Sequence, residues 1–268
     1  MQQRLSLSKK SMTFKHIISR DNSQFKQLKK LADSSRERRK LGETLLDGAH
    51  LVETYLEVFG EPRLLIIAEG ESTAEVSHLI QQLVDVPTVM FPTLMFQELA
   101  PVASPTGILA LVKTPTIAPP EALNFVLMLE DIQDPGNLGS MLRTAAAAGV
   151  DAVYLSEGCT EAWSPKALRG GQGAQFTLPI VERADLVGLA SNFEGQVLAT
   201  TLRGDSIYQL DLTGPTAIAI GNEGNGLSGA MQKAASHQVT IPIAEGVESL
   251  NAAAAASIFL FERVRQTL

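Results

Sequence analysis

Three loops carry residues of the types and spacings that chemistry on a sugar, phosphate or nucleotide needs. In the first, residues 130–140 read EDIQDPGNLGS and lead into Arg143 and an alanine-rich helical stretch. Asn137 is placed to cap that helix, and Gly136 and Gly139 allow close backbone approach. Arg143 follows six residues later, within the first turns, where its guanidinium could reach the loop mouth. A fixed cation of that kind can orient a hydroxyl or a phosphate and stabilise developing negative charge, or it can simply pair with a surface carboxylate. The second loop, residues 220–228 (IGNEGNGLS), offers backbone donors on three glycines and one carboxylate, Glu223, as a proton acceptor. Its G-x-x-G-x-G spacing is neither the dinucleotide fingerprint nor a P-loop, which would need a lysine. The third, residues 241–251 (IPIAEGVESLN), runs into AAAAAS. Ser249 is expected to cap the following helix, with Asn251 in its first turn. Alanines 252–256 leave a helix face almost bare of side chains, suited to very close packing.

Loops need elements to hold them. Apolar runs predict strands at 125–129, 152–155, 175–179, 196–200, 216–220 and 238–241. Helices are expected at 138–148, 186–192, 229–235 and 250–266. Strands alternating with helices imply an α/β fold with a parallel sheet covered on both faces, and ligands there sit beyond the carboxyl ends of the strands. All three loops fall at such ends.

Ahead of this region lies a proline-rich linker, residues 113–123, with Pro115, Pro119 and Pro120. It divides the chain into a first domain (1–112) and a second (124–268). In the first, residues 23–40 predict one helix with Phe25, Leu28 and Leu31 on its inner face. Strands are expected at 64–68 and 107–112, and a helix at 76–83. The outer face of the first helix presents Arg36, Arg38, Arg39 and Lys40, which is either a solvated surface or a polyanion contact.

Charge decides how that face is read. The 268 residues carry a net charge of −7, which alone points away from nucleic acid. Residues 1–40, however, hold 12 Lys+Arg against 3 Asp+Glu, a net of +9. The remaining residues hold 10 against 26, a net of −16. A basic front on an acidic body can meet a polyanion locally. The single cysteine, Cys159, excludes an intrachain disulfide or a zinc site built on cysteine pairs, and it fits a reducing compartment. The first ten residues lack the apolar core of a signal peptide, and no apolar run approaches the length of a membrane span, so the cytoplasm is expected.

Taken in order, N-x-G-x-x-x-R-x-A (Asn137 to Ala145), G-N-E-G-x-G-L-S (Gly221 to Ser228) and I-P-I…S-L-N (Ile241 to Asn251) resemble the three signature motifs of the SpoU, or TrmH, class of RNA ribose 2′-O-methyltransferases in the SPOUT superfamily. The resemblance covers residues 120–268. The front segment is similar to the L30e-like substrate-binding domain attached to many of these enzymes. Its cues are Ile18–Asn22, Leu46–His50 and Pro105–Ile108.

The resemblance implies a deep trefoil knot in the carboxyl-terminal domain, S-adenosylmethionine as cofactor, RNA as substrate (ribosomal rather than transfer) and a homodimer. It places cofactor contacts on Thr200, Gly221, Ile241, Leu250 and Asn251. It assigns the catalytic set to Arg143, Asn137, Glu223, Ser249 and Asn251, with Arg169 as a phosphate contact and no metal. Two departures stand out: Gly170-Gly171-Gln172 where an Ala-Ser-rich stretch is expected, and Ala244-Glu245 in place of the usual methionine-containing third motif. A Rossmann oxidoreductase would need its glycine loop early in the chain. A non-catalytic RNA-binding relative would have no use for Asn137, Arg143, Glu223, Ser249 and Asn251 together.

Overall fold

The computed structural model describes residues 14–70, 72–102 and 105–268. The first ten residues, read above for a signal peptide, lie outside them. The amino-terminal part runs β1 (Lys15–His16), α1 (Ser23–Asp33), α2 (Ser35–Leu41), β2 (Glu43–Asp47), α3 (Ala49–Phe59), β3 (Leu64–Ala68), α4 (Ala74–Gln82), β4 (Thr88–Phe91), α5 (Thr93–Leu99) and β5 (Ile108–Lys113). Its sheet has the order β1-β4-β3-β5-β2, mixed parallel and antiparallel. The single helix expected over 23–40 is two. Ser34 turns extended (φ −120°, ψ 113°), and its hydroxyl accepts from Glu37 N, so the chain restarts as a second helix there.

Residues 114–124 carry no regular structure. The carboxyl-terminal part then follows as β6 (Phe125–Leu129), α6 (Pro135–Ala147), β7 (Ala152–Leu155), α7 (Pro165–Gly171), β8 (Ile180–Val181), α8 (Leu186–Asn192), β9 (Gln196–Ser206), β10 (Thr216–Ile220), α9 (Gly229–Ala234), β11 (His237–Thr240) and α10 (Ala252–Thr267). Six parallel strands line up as β11-β9-β10-β6-β7-β8. The central strands β6 and β10 (FVLML and TAIAI) are buried along their whole length, as a sheet covered on both faces requires. The strand expected at 175–179 is absent. Residues Ala174–Phe176 form a short 3-10 turn, with Gln175 and Phe176 buried, and pairing begins only at Ile180.

Two helix contacts position the chemistry. Gly139 on α6 lies against α7 so closely that a Cβ there would sit 2.5 Å from the Ala167 carbonyl oxygen and 2.8 Å from Gly170 Cα and Gly171 N. The Gly170-Gly171 departure noted in the sequence is therefore one half of a backbone-to-backbone contact. α10 packs against α6 as well, with Thr144 Oγ1 and Ser257 Oγ 3.3 Å apart.

The two sheets share one apolar core that joins Leu46, Val52 and Tyr55 to Trp163 and Phe176. Along this seam Arg38 is 5% exposed, and its Nε and Nη2 donate to Glu161 Oε2 at 2.8 and 2.6 Å. Its Nη1 donates to the carbonyls of Leu31 and Ala32. Thr44 Oγ1 donates to the Trp163 carbonyl at 2.6 Å, and Arg169 pairs with the buried Asp47 carboxylate. Arg38 is thus withdrawn from the exposed basic face to which its spacing assigned it. It is an internal ion pair.

Candidate active site

The carboxyl ends of β9, β10 and β11 open onto a cleft of about 1030 Å³. Its walls come from three segments: Thr200 to Arg203, Gly221 to Leu227, and Thr240 to Leu250. Thr200, Gly221, Glu223, Ile241, Ser249 and Leu250 all line it, so residues picked from β9 and from the second and third loops share one space, whereas the first loop (130–140) and Asn251 stay outside its walls. The size suits a nucleotide-like cofactor. At Gly221 a Cβ would meet Gly226 C at 2.2 Å and Leu227 N at 2.3 Å, so the glycine loop folds back on itself at a position where no side chain fits.

Asn137, in the first loop, bonds to both of the others. Asn137 Nδ2 donates to Glu223 Oε1 at 3.1 Å, and Asn137 Oδ1 accepts from Asn251 Nδ2 at 3.1 Å. Asn251 Oδ1 in turn accepts from the amides of Ala253 and Ala254, at 2.9 and 3.1 Å. Two capping assignments change as a result. Asp134, not Asn137, caps α6: its carboxylate accepts from Asn137 N at 2.8 Å, with Pro135 at the first helical position. That backbone N–H, then Lys166 at 3.4 Å, hold the Asp134 carboxyl below the usual range. Asn251, not Ser249, caps α10. Asn137 is free to join the loops because a neighbour has taken over the cap. The Asp-Pro pair was a readable cap signal, passed over in favour of the asparagine.

Arg143 stands apart. It is exposed, it has no hydrogen bond or salt bridge among the described residues, and it does not line the cleft. Six residues along a helix carry a side chain about 9 Å up the axis and to another face. The expected reach to its own loop mouth is not made. Arg169 is 34% exposed and held by Asp47, whose carboxyl is pushed above its usual range by burial against the opposing pull of that arginine. Arg36, Arg39 and Lys40 are exposed on α2. Among the described residues no cluster of three His, Cys, Asp or Glu could hold a metal. No helix there is long and apolar enough to cross a membrane.

The SpoU rRNA Methylase family model matches residues 124–261, and an MRM3-like substrate binding domain model matches residues 22–110. A Synechocystis protein named as an uncharacterized tRNA/rRNA methyltransferase is 34% identical over 259 residues, covering 93% of both chains. The Bacillus subtilis 23S rRNA (guanosine(2553)-2′-O)-methyltransferase RlmP is 33% identical, covering 92% of this chain and 98% of its own. Among solved structures, the SpoU methyltransferase AviRb of Streptomyces viridochromogenes in complex with AdoMet superposes with a TM-score of 0.82. It is 27% identical, covering 91% of this chain and 98% of that one.

Proposed function

The chain belongs to the SpoU rRNA methylase family, and from that premise we propose that it transfers a methyl group from S-adenosylmethionine to a ribose 2′-hydroxyl of ribosomal RNA. The observation that carries this reading is the Asn137 junction. It holds a carboxylate, Glu223, and the start of α10 at fixed positions beside the cleft.

The cofactor supplies an electrophilic methyl on a sulfonium, and the ribose oxygen takes that methyl as the carbon–sulfur bond breaks. What the chain supplies is position. Thr200, Gly221, Ile241 and Leu250 bind from the cleft walls, with Asn251 beside them at the start of α10. Glu223, steadied by Asn137, accepts the hydroxyl proton directly or through water. Ser249 and Asn251 orient the ribose. The Arg143 guanidinium orients the hydroxyl and its phosphate and stabilises alkoxide charge.

The reading includes a homodimer in which each arginine serves the other subunit's site, supported by the position of Arg143 outside its own cleft. The same reading includes a deep trefoil knot around the cleft, supported by walls drawn from three strand ends. It includes an L30e-like amino-terminal domain (1–112) joined through residues 113–123 to the methyltransferase domain (124–268). Arg36, Arg39 and Lys40 would meet the RNA backbone, the cytoplasm being the setting.

Titration calorimetry with S-adenosylmethionine and with NAD is the first test, and binding of the former alone is expected. Binding of NAD alone would end this reading. Mapping ribose methylation in ribosomal and transfer RNA from cells with and without the protein then identifies the target. Loss of one or a few ribosomal methyl groups is the expected result.

A further inference from the structure

The glycine loop of residues 221–228 is anchored from outside itself, at both ends, by two consecutive residues at the end of β6. Glu130 Oε2 accepts from Ser228 N at 2.6 Å, and Glu130 Oε1 accepts from Ser228 Oγ at 2.8 Å. One carboxylate thus takes both hydrogens of the residue that closes the loop and caps α9. At the other end, Asn222 Nδ2 donates to the Asp131 carbonyl at 2.9 Å. Asp131 is itself held in a left-handed conformation, φ 56°, unusual for a residue with a side chain. Ser156 secures it, with Oγ donating to Asp131 Oδ1 at 2.8 Å and accepting from Asp131 N at 2.9 Å. Gly158 makes room, since a Cβ there would lie 2.1 Å from Asp131 Oδ1.

Neither residue lines the cleft or touches Asn137. A strained backbone and a two-pronged carboxylate spent on one loop indicate a geometry that the loop would not keep by itself.

We infer that Glu130 is a positioning residue for cofactor affinity. With Asp131 it forms a staple that presets the glycine loop in its binding shape before the cofactor arrives. This rests on the reading of the cleft as the S-adenosylmethionine site. Without the staple the loop must be ordered at the moment of binding, and the cost falls on affinity rather than on the transfer step.

The test compares Glu130→Ala with Glu130→Gln in the full chain. Glutamine can still accept from Ser228 N through Oε1 and donate to Ser228 Oγ through Nε2, whereas alanine loses both bonds. Glu130→Ala should raise the Kd and KM for S-adenosylmethionine about tenfold. Its turnover at saturating cofactor should stay within about threefold. Amides of residues 221–228 should exchange hydrogen faster in the cofactor-free variant, while the β6 and β10 amides remain protected. Glu130→Gln should restore both readouts.

Unchanged affinity and unchanged exchange in Glu130→Ala would overturn the inference. So would a global loss of protection that Glu130→Gln shares, because the residue would then support the fold and not the loop. If the wild-type protein itself fails to bind S-adenosylmethionine, it is the parent reading that falls, and faster exchange of the loop in Glu130→Ala would still be visible.

Discussion

The seam between the two sheets and the cleft at the strand ends are built from the same residue types and use them in opposite ways. In the seam, Arg38 and Glu161 are almost fully buried and spend their hydrogen-bonding capacity on each other and on nearby backbone. Around them Tyr55 and Phe176 meet edge to face, with ring centroids 5.6 Å apart. Beside the cleft, Asn137 bonds to Glu223 and to Asn251, and the three keep faces open to solvent. A polar group that is buried and satisfied has no capacity left for a substrate. One that is oriented by its neighbours and still exposed can do chemistry.

The sharpest way to break that contrast is to cut the seam. Arg38→Ala leaves the buried Glu161 side chain without its partner, so urea unfolding should show a loss of about 3–5 kcal/mol. Replacing the pair together, Arg38→Met with Glu161→Leu, should recover most of it. A stable Arg38→Ala protein that no longer binds RNA would return Arg38 to the RNA face and dissolve the distinction.

On the cleft side, Arg143→Ala should lower methyl transfer by about 10²–10³. The unfolding midpoint and cofactor affinity should stay at wild-type values, since Arg143 has no partner in its own chain among the described residues. Turnover that survives the change would remove Arg143 from the mechanism. A smaller effect belongs to the exposed cations of α2. Neutralising Arg36, Arg39 and Lys40 together should weaken RNA binding and flatten its log-affinity against log-salt slope by about two. An unaltered slope would make them a solvated face, and α2 would then serve the seam alone.

The contrast also marks what sequence can convey. Buried parallel strands such as β6 and β10 were legible because an uninterrupted apolar run bounded by loops has few other uses. The cleft was legible in part: the second and third loops line it at the strand ends, while the first loop joins them only through hydrogen bonds from Asn137, Glu130 and Asp131. What was not legible was the division of labour among similar residues. Arg36, Arg38 and Arg39 sit within one turn, and only the packing of α2 against residue 161 separates the buried one from its neighbours. Asp134 and Asn137 are both good caps three residues apart, and the choice between them decided whether Asn137 could join the loops. The α6–α7 contact escaped for a related reason: a glycine shows that space is short, never what fills it.

The mildest probe of the seam is its response to pH. Glu182 accepts from Ala162 N at 2.8 Å beside Glu161. Burial pushes its carboxyl above the usual value of 4.5, the Ala162 N–H pulls it down, and the Glu161 carboxylate pushes it up again. A carboxyl raised in the folded state binds its proton more tightly there than in the unfolded chain. Its contribution is therefore present in full below pH 4.5 and is lost as pH rises through the raised folded value. Glu182→Gln keeps the acceptor for Ala162 N and cannot ionise. Relative to wild type, the variant should therefore become progressively more stable as pH rises from 4.5 towards neutrality. Urea midpoints measured across that window for both proteins test the sign. Asp47, raised by burial at the other end of the seam, is present in both proteins and cancels in the comparison. Parallel pH profiles would mean that Glu182 is solvated well enough to ionise freely, and the seam would be wetter at that end than its packing indicates.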